Sequence, residues 1–378
     1  MPSRSGKTTQ HKVLVYLFGS LGDTIVAIPA LRAVRRHFSE AEIVLLQNVQ
    51  KGNIVSASEV IPSDLIDRYL DYTSETSGSG KLQSFYRLWK TTRGEQFDAV
   101  VYLVISERPS LSVHRDKLFF RSCGISESYG FHPFSTDELY PSDANGHPSF
   151  TEHEAVRKLN RLELDGISPI PEIDLRQPLM TFQKEDLEQT GIWLASQRVK
   201  PGSRLIAIAP GCKTHANDWP LDRFIEVGRR LISEENCEIL IVGGKAEFDL
   251  GEEMVAAWKC GINAAGKFTV PQSGTLLSMC DFYVGLDTGT THLAAAVGTP
   301  CFALYGERNN PGHWFPLGDS HTVVFHRVEC AGCRLPECLV TDHPCMNGIS
   351  VDSVWKSLTA FASKINKGQT SEIEVIPV

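Results

Sequence analysis

Short apolar runs alternate with longer amphipathic ones along this chain, and the alternation stops once and then restarts. The first series reads as strand KVLVYLF (12–18), turn GSLGD, a helix from Thr24 to Phe38 and strand EIVLLQ (42–47). A polar glycine- and serine-rich loop, TSETSGSGK (73–81), a helix over 82–93 and strand FDAVVYLV (97–104) follow. Residues 106–150 read as irregular, and a helix over about 151–164 closes the series. SPIPEIDLRQPLM (168–180) carries three prolines and little periodicity, which predicts a linker. The second series places strands at 204–210, 237–244, 281–287 and 301–306, with helices over 221–235, 247–259, 274–280 and 291–297. Phe224, Val227 and Leu231 share one face of the 221–235 helix. A last helix, Val351 to Ile365, precedes a polar tail.

Strands that are apolar throughout belong in parallel sheets covered by helices on both faces. The expected fold class is therefore α/β, with two Rossmann-like, doubly wound domains facing across a cleft. The expected boundaries are 1–175 and 176–350, with a terminal helix and tail over 351–378. Ligands of such sheets bind beyond the carboxyl ends of the strands, so the chemistry is expected in the turns that follow them.

Composition narrows the function. The 378 residues are 42% hydrophobic, enough for substantial cores, and the net charge of -8 leaves no basic surface of the kind nucleic acid requires. The same acidity disfavours an anionic membrane surface, leaving at most peripheral membrane contact. No run approaches the ~18 apolar residues of a membrane span, and the N-terminus lacks the apolar core of a signal peptide. A cytoplasmic location is expected, with the ten cysteines as reduced thiols or metal ligands. SGKTT (5–9) is similar to the end of a phosphate-binding loop. It has no strand before it and no glycine five residues before Gly6, so it reads as a polar tail.

Three turns carry candidate chemistry. In GSLGDTIVAIP (19–29), Gly19 and Gly22 permit a tight turn and close ligand approach, and Asp23 stands at the helix start. There an aspartate is either a cap or a carboxylate able to accept a proton. APGCKTHANDWP (209–220) offers Lys213, Thr214, His215 and Asn217, donors suited to an anion or to a plain polar loop. In GLDTGTTHLAAAVGTP (285–300), Thr288, Thr290 and Thr291 supply hydroxyls, and Gly289 and His292 stand at the start of a short helix. Free N–H groups and the helix dipole make that start an anion site, with a diphosphate the best fit. The alternative is threonines that cap and a histidine that packs.

GSLGDTIVAIPALRAVRRHF, APGCKTHANDWPLDRF and AAGKFTVPQSGTLLSMCDFYVGLDTGTTHLAAAVGTPCFALYG resemble, in order and spacing, the blocks of the family 9 glycosyltransferases, the heptosyltransferases of lipopolysaccharide core synthesis and their relatives. The resemblance spans about residues 12–350 and is most specific at D-T/S-G-x-x-H-L-A. It implies a GT-B fold whose first domain binds the acceptor and whose second binds the nucleotide sugar. It also implies inversion at the anomeric carbon, with no cofactor or metal required for catalysis. By position, Asp23 matches the general base, with Gly22 beside it. Asp287, Thr288, Gly289 and His292 match the block around the sugar diphosphate, and Glu247, on a looser match, falls near the nucleoside. The implied donor is ADP-heptose, and the implied acceptor a saccharide or glycolipid.

The chain departs from that pattern in two places. Many relatives carry Lys or Arg two residues before the Trp-Pro pair, where this chain has Asn217; Lys213 then supplies the charge, diphosphate binding is weaker, or the donor differs. After CFALYG the chain reads ERNNPGHW, without the Pro-Thr pair common in relatives. Another nucleotide sugar, a protein or small-molecule acceptor, or a catalytically silent sugar-nucleotide binder are the competing readings. Separately, CAGCRLPECLVTDHPC sets Cys330, Cys333, Cys338 and Cys345 at C-x2-C-x4-C-x6-C, a spacing suited to structural zinc or iron or to free thiols. The six other cysteines read as small core residues.

Overall fold

In the computed structural model of the chain, the described residues are 11–48, 55–73, 78–169, 175, 178–369 and 372–378. The SGKTT segment, residues 74–77 of the glycine/serine loop and most of the proline-rich stretch between 170 and 177 lie outside them. The chain divides into two units, Met1–Ser135 with Glu154–Ile173, and Thr136–His153 with Asp174–Val378. The division is not a single cut. The 136–153 excursion groups with the second unit, as do the terminal helix and tail.

The first unit is built on a five-stranded parallel sheet, β1 (Lys12–Tyr16), β2 (Glu42–Asn48), β3 (Arg68–Tyr72), β4 (Ala99–Tyr102) and β5 (Glu127–Tyr129), in the order β3-β2-β1-β4-β5. Val13 and Val15 face Ile43 and Leu45 in register on one side and Ala99 and Val101 on the other. Leu14, Val44, Val100, Tyr102 and Phe120 join one buried cluster. A single helix from Thr24 to Phe38 does not form. The chain makes Leu21–Ile25, a turn, and then Ile28–His37, because Pro29 has no N–H to donate and sits in the first turn of a new helix.

Residues 106–150 are also more ordered than expected. They hold the Ser110–Ser122 helix, the edge strand β5 and a short Thr136–Leu139 helix. The Gly78–Gly94 helix begins inside the segment read as a loop.

The second unit has seven parallel strands: β6 (Leu205–Ile208), β7 (Glu238–Ile241), β8 (Ile262–Asn263), β9 (Phe282–Leu286), β10 (Cys301–Tyr305), β11 (Thr322–Phe325) and β12 (Glu374–Pro377). Their order is β12-β11-β10-β9-β6-β7-β8. Phe224, Val227 and Leu231 pack with Ile206, Ile239, Val284 and Phe302 in its core, as their helical spacing predicts. The tail is not merely polar: β12 pairs in parallel with β11. Within this unit Asn310 holds the excursion, its Nδ2 donating to Pro141 O at 2.7 Å and Ser149 O at 3.0 Å. Among the described residues no helix is long and apolar enough to cross a membrane.

Candidate active site

In the first unit β1 and β4 are neighbours although β2 follows β1 in sequence, so the order in which strands are added reverses there. The turn after β1 carries Asp23 at that switch point, the usual ligand position in such sheets. Ser20 caps the Leu21–Ile25 helix, and Asp23 is the reciprocal member of the capping box: its Oδ2 accepts from Ser20 N at 2.5 Å and Ser20 Oγ at 2.7 Å. Oδ1 makes no hydrogen bond among the described residues, so the capping box engages only one of the two oxygens. Gly19 makes room for this arrangement. Its φ is +154°, and a Cβ there would fall 2.4 Å from Asp23 Cβ, displacing the carboxylate. Gly22 is buried within the helix.

Behind this turn lies a charged interior that sequence reasoning missed. Glu154, Arg157, Lys158 and Arg161, on one helix, are all buried. Lys158 Nζ donates to Glu154 Oε1 at 2.7 Å and to Leu103 O, just past β4, at 3.0 Å. Glu154 also accepts from Ser106 N at 2.9 Å and Ser106 Oγ at 2.5 Å. Burial lowers the proton affinity of Lys158, and the charges of Glu154 and Asp23 oppose that shift. Spacings of three and four residues mark a shared helix face, but charges in that pattern normally read as a solvated one.

In the second unit the switch point lies between β6 and β9. The turns that follow these two strands are joined there: Asn217 Nδ2 donates to Asp287 Oδ2 at 3.1 Å. Asn217 is buried, and its Oδ1 has no partner among the described residues. Desolvation raises the Asp287 carboxyl to about 6, opposed by Arg308, by the Asn217 bond and by His313. Glu247, after β7, packs against the same region; a Cβ on Gly211 would meet its Cγ at 2.6 Å, and its Oε2 accepts from Gly244 N at 2.7 Å. Lys213 is exposed and Thr214 half-buried on the 209–220 turn. His215 Nδ1 meets Asp218 Oδ2 at 2.8 Å, and this bond raises the histidine's proton affinity.

Thr288 is the N-cap of the Gly289–Ala296 helix. The N–H groups of Gly289 and Thr290 have no partner among the described residues, while those of Thr291 and His292 turn back to Thr288 O. Two donors and the positive end of the helix dipole therefore converge beside Asp287. The threonines are not equivalent. Thr291 is fully buried and its hydroxyl donates to Leu286 O and Tyr283 OH, so that hydroxyl is committed within the fold. His292 is buried with Nδ1 unpartnered among the described residues, and desolvation, with His153 adding to it, lowers its pKa to about 3. A neutral imidazole results.

The model of glycosyltransferase family 9 (heptosyltransferase) matches residues 149–342, slightly more than half of the chain. The chain belongs to glycosyltransferase family 9. Among relatives, it is 23% identical to lipooligosaccharide heptosyltransferase 2 of Campylobacter jejuni over 360 residues, covering 91% of this chain and 96% of that one. Among solved structures, a glycosyltransferase family 9 protein of Veillonella parvula superposes with a TM-score of 0.69 at 18% identity, covering 94% and 98%. The E. coli ADP-heptose lps heptosyltransferase II follows with a TM-score of 0.63 at 18% identity, covering 94% and 99%. These likenesses establish the two-sheet α/β architecture of this family 9 chain as GT-B.

Two further features flank the Asp287 region. Arg308, in the ERNN segment after β10, is the cation electrostatically coupled to Asp287, and its Nε and Nη2 donate to Leu335 O and Arg334 O. Nothing local in ERNN signals that role, because the coupling to Asp287 is made by the fold. Cys330, Cys333, Cys338 and Cys345 line one cavity together with His343. They are free thiols; burial and then its three cysteine neighbours push Cys345 up to about 11. Among the described residues no group of three or more His, Cys, Asp or Glu is assembled as a metal site. Of the other cysteines, 123, 237, 280 and 301 are buried, and 212 and 260 are partly exposed.

Proposed function

We propose that this chain transfers a heptose from ADP-heptose to a hydroxyl of a lipopolysaccharide-core saccharide, inverting the anomeric centre without a catalytic metal. The observation that carries the reading is the anion site at the switch point of the second unit: two unpartnered N–H groups at a helix start, beside Asp287 and the Asn217 bond. Family membership supplies the reaction class, and the relatives' names supply the sugar.

In this reading the first unit binds the acceptor and the second the donor. Asp23 Oδ1 takes the proton of the attacking hydroxyl, whose oxygen forms a bond to the anomeric carbon. The bond from that carbon to the diphosphate breaks, and ADP leaves with the electron pair. Thr288, Gly289 and Thr290 receive the diphosphate, with charge from Lys213 and Arg308. Asn217 orients Asp287 instead of contacting phosphate, so the charge that relatives carry at position 217 is relocated. His292, neutral, presents a polar edge with no cost of a second buried charge, and Thr214 and Glu247 border the nucleoside side.

The experiment is ADP release from a panel of nucleotide sugars, with and without saccharide acceptors, in the presence of EDTA. ADP-heptose is expected to be the donor turned over, with EDTA indifferent and an inverted anomer in the product. A different donor would reassign the sugar, a retained anomer would remove the single displacement, and binding without release would make the chain a silent binder.

We further propose that the cysteine quartet, which stands here as free thiols and is not assembled as a metal site, can close on a structural metal. Four thiolates closing on zinc or iron would fill a tetrahedral sphere, leaving no position for substrate, so the ion would hold the 330–345 loop and take no part in transfer. Elemental analysis of reduced, freshly purified protein tests this, and the absence of both metals refutes it.

A further inference from the structure

The acidity of the whole chain hides an opposite local pattern. The Gly78–Gly94 helix contains four basic residues and no acidic one. The Ser110–Ser122 helix contains Arg115, Lys117 and Arg121 and a single acid, Asp116, which is buried and accepts from Arg108, Arg115 and Tyr102. The two helices lie side by side. Phe85 and Phe119 have ring centroids 5.0 Å apart, and Trp89 Nε1 and Arg93 Nη1 donate to Ser122 O at 3.3 and 3.1 Å.

Their outer surface is unusually apolar. Leu82 is 76% exposed, Phe85 56%, Tyr86 58%, Leu111 87% and Leu118 66%. On the first helix positions 82, 85, 86, 89 and 93 follow helical spacing, and on the second 111, 115 and 118 do. Arg87, Lys90 and Arg121 are exposed and make no ion pair among the described residues. Scattered exposed leucines need no explanation, but five large apolar side chains on one helix pair, flanked by uncompensated cations on an acidic protein, do.

We infer that this helix pair is a docking face for an anionic phospholipid bilayer. Aliphatic and aromatic side chains on one face with arginines and lysines at its border are the pattern of helices that lie in a membrane interface. The cations complement anionic headgroups, on a chain whose net charge is -8. The placement also suits the reaction. Both helices follow strands of the first unit's sheet, β3 and β4, and so begin at the carboxyl edge that carries Asp23. Leu82 and Leu111 lie in their N-terminal portions, where a bilayer would present the head of a glycolipid acceptor. This last point rests on the proposed acceptor, whereas the docking itself does not.

The test is flotation of the full chain with phosphatidylglycerol–phosphatidylcholine vesicles and with phosphatidylcholine vesicles, at low and high salt and without any sugar. The wild-type chain is expected to float with the anionic vesicles, weakly with the neutral ones, and less at high salt. The triple change Arg87→Gln, Lys90→Gln, Arg121→Gln is expected to weaken binding roughly a hundredfold, at about fivefold for each charge near the surface. Leu111→Ser with Leu118→Ser should weaken binding to both vesicle types, with an unchanged melting temperature because both side chains are largely exposed. No flotation of the wild-type chain, or flotation unchanged in both variants, overturns the inference. So does failure to float accompanied by a dimer that the Leu111→Ser, Leu118→Ser chain cannot form, which would give the face to a second copy. Because no donor or acceptor is present, these outcomes are independent of the heptose assignment.

Discussion

Asp23 and Asp287 each follow a strand at the switch point of a parallel sheet, yet their surroundings differ in the features that govern proton affinity. Asp23 spends one oxygen on a capping box and leaves the other open. The charges behind it, Lys158 and its neighbours, are sealed in the interior. Asp287 has an oxygen bonded to a buried asparagine, and desolvation shifts it towards the protonated form, beside a histidine that burial keeps neutral. Under the proposed function, one edge would receive a proton and the other a phosphate anion. The same architecture supplies the position in both units, and the neighbouring side chains decide the use made of it.

The largest effect expected from breaking this contrast is on folding. Lys158 and Glu154 pair four residues apart with both side chains fully buried, whereas Lys184 and Glu188 pair at the same spacing with side chains 81% and 62% exposed. Lys158→Met leaves a buried carboxylate without its cation and should cost about 3 kcal/mol in urea unfolding. Lys184→Met should cost roughly 0.5 kcal/mol or less. Equal losses would mean that the interior pair does not brace the Asp23 edge.

A second, somewhat smaller effect concerns pH. The folded His292 resists protonation, so its contribution is lost as pH falls from about 6.5 toward about 3. The folded Asp287 holds its proton longer than the unfolded chain does, so its contribution is greatest below about 3.8 and is lost as pH rises through about 6. The two oppose each other in the acid range. His292→Asn should gain about 2 kcal/mol relative to wild type near the acid end of that range, and Asp287→Asn should lose its stability gain there, both read from melts across pH. Parallel profiles for the two variants would contradict the assignment.

The smallest effects are on the donor. Arg308→Gln should weaken ADP binding by about tenfold, as a partly buried cation facing an anion does. Exposed Lys213→Gln should weaken it by less than fivefold. The reverse ranking, measured by calorimetry, would place the compensating charge on the 209–220 turn.

Much of this organisation was legible in the residues. Apolar runs such as LIAI and EILI gave the inner strands, because a strand covered on both faces has no polar alternation to confuse it. Edge elements were harder to read. β3, with RYLDY, and β12, at the end of the polar tail, mix polar and apolar residues because one side of each is partly exposed. The Ser110–Ser122 helix was unreadable for a related reason: Leu111 and Leu118 face solvent, so its apolar positions do not define one buried stripe.

At the site, glycines and capping residues marked the turns correctly, since local backbone chemistry is written in local sequence. What the chain brings together from a distance was not legible. Asn217 looked like a missing charge until its bond to Asp287 appeared, Arg308 lay in a segment noted only for what it lacked, and the buried charges of 154–161 resembled an exposed face. Net charge likewise averages away the basic helix pair.

The account turns on the open oxygen of Asp23, and the most direct measurement is the donor affinity and turnover of Asp23→Asn. Asparagine keeps the size and an oxygen for the Ser20 cap but cannot take up the proton. Donor binding within about twofold of wild type, with kcat reduced at least a hundredfold, is the predicted result. Turnover close to wild type would contradict the account.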